Sequence, residues 1–180
     1  MMRSTLRRVV ATTTLTAAVA ALAVSTGGTS AATPGSLKAT GTRGSSDFAA
    51  IRAATAKFHD VAAAEAAGYI RVSECEALPG VGVMGFHYLN PVLASDAVID
   101  STRPEVLLYV PGDEGLKLAG VEYFVAEAAA PSRPSVVGLP FDGPMAGHNL
   151  EMPSHYDLHL WIWKHNPSGL AQAWNPTLSC

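Results

Sequence analysis

Only two of the 180 residues are cysteine, and charged side chains make up just 15% of the chain. Basic residues are scarcer than acidic ones, 12 Lys and Arg against 15 Asp and Glu. Nucleic acid and anionic membrane surfaces both call for a basic footprint, so neither is expected as a partner. There is no Gly-x-Ser-x-Gly elbow for a nucleophilic serine and no glycine-rich loop ending in Lys-Ser/Thr to cradle phosphate. No internal repeat occurs. The uncharged apolar run from Val9 to Val24 is short and diluted with threonine, which argues against a membrane span.

That run reads instead as the core of a signal peptide. Arg3, Arg7 and Arg8 precede it, and Thr29-Ser30-Ala31-Ala32 offers small residues for cleavage. Residues 1–32 are therefore expected to direct secretion, with no stable membrane anchor. Without the three arginines the balance is 9 basic against 15 acidic residues, a net charge of −6. Residues 33–46 are small, polar and glycine-rich and predict a flexible leader. Residues 47–180 suffice for a single globular domain.

In an oxidising compartment the even cysteine count predicts a Cys75–Cys180 disulfide, with two thiolates in a metal site as the alternative. Ser46 or Asp47 serves as an N-cap for a helix from Phe48 to Ala67, and Gly68 ends it. Within that helix His59 and Asp60 are expected to take surface or capping roles. From Tyr69 the period changes to strands: 69–75, 80–91, 104–111, then a turn at Gly112–Gly115 into 116–125. Residues 126–153 are rich in Ala, Pro and Gly and predict a long loop of the kind that covers a site. The expected fold is α+β: one N-terminal helix packed on a curved antiparallel sheet, or small barrel, of about six strands.

The closing strand, read over 155–163, is the most informative stretch. Alternation puts Tyr156, Leu158, Leu160 and Ile162 on a core face. It puts His155, Asp157, His159, Trp161 and Trp163 on the other. Two imidazoles, a carboxylate and two indoles in one row suit a lined pocket better than open solvent. Imidazole and carboxylate are ligands for Zn, Cu, Fe or Mn, and reactive sites commonly use three of them. His155 and His159 lie roughly 13 Å apart at their Cα atoms in an extended strand, too far to share one ion without a bulge.

The candidate ligand set is therefore His87, Glu122 and His159, with His155 and Asp157 as a fourth ligand or as support. His87 is out of phase with Met84, Phe86 and Tyr88. Glu122 stands in an apolar strand, where a carboxylate must be paired, ligating or wet. His148 and His165 read as loop or turn residues. The plain alternative is that these histidines are hydrogen-bonded structural residues. A second class of function uses Trp161, Trp163 and Tyr88 to bind a small molecule or sugar ring without chemistry. A glycosidase pairing of Glu122 with Asp157 has nothing to fix its spacing. No reaction or protein partner follows from the residues.

The strands, histidines and glutamate are in part similar to cupins, although the dense His-x-His then Glu pattern of that family is missing. Asp157-Leu158-His159 is the nearest approach to it. That likeness implies a small barrel and no ligand assignment. More of the chain, most of residues 48–180, resembles a group of exported bacterial proteins of undefined function. The likeness rests on MGFHYLNP, on Gly-Val-Glu-Tyr, and on the closing His-x-Trp-x-Trp, Asn-Pro, Trp-Asn-Pro and Ser-Cys run. It implies export and no activity.

Overall fold

The computed structural model describes residues 39–148 and 150–180. The expected signal peptide and residues 33–38 of the expected leader lie outside these. The helical part opens at Ala39, earlier than the Phe48 start read from the sequence, and is broken in two. Helix α1 spans Ala39–Thr55, a 3-10 turn covers Ala56–His59, and helix α2 covers Val61–Ala66. The break has a local cause. In a continuous helix the amide of Ala62 would donate to the carbonyl of Phe58. Here Ala62 N–H donates to the Asp60 carboxylate at 3.0 Å, while the Phe58 carbonyl accepts from the buried Tyr109 hydroxyl. Asp60 thus caps α2 as its side chain favours.

Strands β1 (Ile70–Arg71), β2 (Glu76–Leu78) and β3 (Gly82–Leu89) follow, then a short helix α3 (Pro91–Asp96). Asn90 caps α3 by accepting from the amides of Val92 and Leu93. Strands β4 (Val106–Gly112) and β5 (Gly115–Ala126) form the expected hairpin. The stretch read as a long loop carries β6 (Ser135–Val136), β7 (Leu139–Pro140) and β8 (Asp142–Met145), and β9 is His155–Leu160. The main sheet is antiparallel and open, in the order β1-β3-β4-β5-β9-β8, with β2 also paired to β3. The α+β expectation holds in its open-sheet form, and no barrel closes among the described residues.

One face of the sheet carries the main core. Tyr88, Leu107, Tyr109, Val121, Tyr123, Tyr156, Leu158 and Leu160 are buried there with Ile51 and Phe58 of the helical segment. Strand register fixes the opposite face. His87 sits across from Leu108, Leu108 from Gly120, Val106 from Glu122, and Glu122 from His159. Gly120 is required in this row: a Cβ there would lie 2.6 Å from the Leu160 carbonyl oxygen and push β9 away from β5.

The disulfide Cys75–Cys180 is present, with a Cα separation of 5.7 Å. It ties the last residue of the chain beside the start of β2. The tail is also held by Asn175, whose amide and carbonyl both bond Val83 at 3.0 Å. Among the described residues no helix is long and apolar enough to cross a membrane.

Candidate metal centre

Three strands bring His87 (β3), Glu122 (β5) and His159 (β9) together on the face opposite the main core. One ligating atom from each lies within 4.8 Å of the others, so the group could hold a metal ion. His87 Nε2 is 3.5 Å from Glu122 Oε2, and His159 Nε2 is 3.8 Å from the same oxygen. The two imidazoles stand nearly perpendicular, at 88°, with ring centres 6.0 Å apart. Glu122 and His159 are 6% and 2% exposed.

For Glu122 and His159, burial leaves donor atoms without hydrogen bonds. Glu122 Oε2 and both ring nitrogens of His159 are buried and have no hydrogen-bonding partner among the described residues. Each such orphan costs on the order of 1–3 kcal/mol, and native proteins leave few of them without a reason. The electrostatics agree. Burial, followed by the nearby charge of Asp157, holds the Glu122 carboxyl well above the usual carboxylate range. Burial also keeps His159 below the ordinary imidazole value, and brings His87 down to about 3 with help from the neighbouring imidazoles. Both imidazoles are thus neutral, the form whose lone pair binds a cation.

His87 is oriented from behind. The Ser73 hydroxyl donates to the Glu74 carbonyl at 2.8 Å and accepts from the His87 amide at 3.0 Å. Its one proton is thereby used, so the 3.0 Å contact with His87 Nδ1 is a hydrogen bond that the imidazole donates. This assigns the proton to Nδ1 and leaves the Nε2 lone pair directed at Glu122. Glu76 adds a carboxylate 3.7 Å from the same Nδ1. A histidine ligand steadied through its other nitrogen is the usual arrangement in metal sites. The strand expected over 69–75 shortens to Ile70–Arg71, so Ser73 lies in a bend, and Glu76 opens a strand of only 3 residues; neither position carries a periodic signal in the sequence.

His155 and Asp157 share the face of His159 and are buried, but they stand apart from the three-residue group. His155 Nε2 is 3.7 Å from Asp157 Oδ2, and its Nδ1 lies 3.0 Å from the Pro153 carbonyl. The Asp157 interaction raises the His155 pKa above its ordinary value against the effect of burial. Burial pushes Asp157 up, yet His155 and the other imidazoles hold it below its usual value. The pair is self-satisfied and acts on the centre through its charge. His148, read as a loop residue, lines the cavity over the centre, with its ring 5.3 Å from that of His155.

The three aromatic residues expected to line a ligand cleft do not line this cavity. Strand β9 ends at Leu160 because the Ile162 amide donates back to the Leu160 carbonyl at 3.0 Å, a three-residue turn that breaks the alternation. Trp161 then packs in a small separate cluster with Val83, Val110 and Ala119. Trp163 turns to the helical segment, with its ring 4.4 Å from His59 and its Nε1–H donating to the Thr55 hydroxyl. Tyr88 belongs to the main core, edge-on to Tyr109 at 4.8 Å. All three take part in packing.

The cavity above the centre has a volume of about 540 Å³, within the range of small-molecule sites. Compared with protein-family models, curated proteins and solved structures, the chain matches none.

Proposed function

We propose that this is an exported protein with a mononuclear divalent metal centre held by His87, Glu122 and His159. The carrying observation is the set of buried, unpartnered donor atoms on Glu122 and His159, facing the imidazole that Ser73 presents. Two imidazoles and a carboxylate suit Zn²⁺, Fe²⁺, Mn²⁺ or Cu²⁺, and three protein ligands leave coordination positions for water or a small molecule. The cavity beside the group gives such a molecule access, which favours reactive or ligand-binding use over a closed structural site. When bound, the ion would supply Lewis acidity and polarise a coordinated oxygen. The chain's own contribution is to keep the imidazoles neutral, to hold them on β3 and β9 of one sheet with Glu122 on β5 between them, and to shield the centre from bulk water. The Cys75–Cys180 bond fits the oxidising compartment that export implies.

The test is elemental analysis of the protein purified from an exporting host without nickel affinity, before and after reconstitution, beside His159→Ala. Near one equivalent of one metal, lost in the variant, is expected. No metal in either protein after reconstitution would end the proposal.

A further inference from the structure

We infer that the cavity over the centre takes an uncharged, largely apolar small molecule that places one nitrogen or oxygen lone pair on the metal, and that it turns away carboxylates and phosphates. The inference rests on the metal reading above. Its basis is the distribution of charge and apolar surface around the 540 Å³ cavity.

Beyond Glu122 and His159, the sheet face continues as an apolar wall. Leu89, Val106, Phe124 and Ala126 line it, and Met152 and Pro153 close it from the loop before β9. Phe124 is fixed in place, its ring stacked on that of His155 with centres 5.0 Å apart. An apolar body laid against this wall leaves water, while a single polar atom can reach the metal end.

Recognition of an anion is a different construction. It calls for an arginine fork, a lysine or a helix terminus aimed at the ligand. Among the described residues lining the cavity, the ionisable ones are Glu76, Glu122, Glu151 and the three imidazoles of His87, His148 and His159; none is Lys or Arg. The nearest arginine in sequence, Arg71, is engaged elsewhere, paired with Glu74 and lying over the Phe86 ring at 4.4 Å. Glu122 already offsets half the charge of a divalent ion. A second carboxylate would therefore enter beside Glu76 with one residual positive charge and no fixed donor to hold it. A cationic ligand would meet that same residual charge, so an uncharged one fits best.

The experiment uses the cobalt(II)-loaded protein, whose visible bands report the coordination shell, titrated with 4-phenylimidazole, imidazole, benzoate and phenylphosphonate. Burying the phenyl ring should make 4-phenylimidazole bind about tenfold or more tightly than imidazole, and more tightly than either anion by a similar factor. Phe124→Ala should remove most of the phenyl advantage while leaving imidazole binding in place. Equal or tighter binding of benzoate or phenylphosphonate would overturn the inference, as would phenylimidazole no better than imidazole. The two readings fail differently. If cobalt gives no bands that depend on His159, the metal centre itself is wrong and the inference goes with it. If cobalt binds and the anions win, only the ligand class is wrong.

Discussion

Replacing Glu122 with methionine should stabilise the metal-free protein and destabilise the metal-loaded one. Methionine is unbranched and close in length to glutamate, so it can occupy the same space on β5 without a polar atom. In the absence of metal, the wild-type carboxyl carries a buried Oε2 that none of the described residues bonds. Removing that orphan should recover about 1–3 kcal/mol. For a domain of this size each kcal/mol moves the melting temperature by about 2–4 °C. With free metal at about a thousand times its dissociation constant, the wild type gains about 4.1 kcal/mol by mass action, more than the orphan costs. The variant has lost a ligand and gains far less. Thermal melts in chelator and in excess Zn²⁺ should therefore show the two proteins exchanging rank. A variant less stable than wild type in chelator would mean that Glu122 holds the fold together by a contact of its own, and the reasoning would be refuted. Equal metal-induced shifts in both proteins would place the metal elsewhere.

Two further predictions concern the frame around the centre. The disulfide closes a separation of 105 residues, for which chain entropy predicts about 4–5 kcal/mol of stability, so Cys75→Ala/Cys180→Ala should lower the denaturation midpoint accordingly; an unchanged midpoint would contradict this. Glu105 is 1% exposed, and burial pushes its carboxyl up to about 7 although the Phe124 amide donates to it. Its pKa is raised, so the folded state binds its proton more tightly than the unfolded chain between the ordinary value of 4.5 and about 7. Its contribution to stability is thus full below 4.5 and falls as pH rises to about 7, by about 3 kcal/mol. Glu105→Gln should flatten that slope in a stability–pH series relative to wild type, and an unaltered slope would show that Glu105 does not cause it.

The three residues of the centre were legible because each broke a local rule. Glu122 interrupts an apolar strand, His87 falls out of phase with its neighbours, and His159 lies on the face that the core does not use. Strand register then does what no single segment reveals, setting Glu122 directly opposite His159. The positions of the two indoles were less legible, for a corresponding reason. Alternation was carried through Trp161 to Trp163, but a single backbone hydrogen bond from Ile162 to Leu160 ends the strand and sends the two indoles to different clusters. The helix break likewise depends on the distant Tyr109 hydroxyl taking the Phe58 carbonyl, a contact that helical periodicity cannot contain. Ser73 reaches His87 from the bend before β2, and Glu76 through the bulged pairing of β2 on β3; neither leaves a pattern in the residues themselves.

The central claim is a place: one metal ion between His87 Nε2, the Glu122 carboxylate and the His159 ring. Anomalous diffraction from a crystal of the protein, recorded on both sides of the absorption edge of the metal it contains, tests that place directly. A single strong anomalous peak is expected within bonding distance of all three side chains. A peak at some other group, or none at these residues in a crystal grown with the metal in excess, would contradict it.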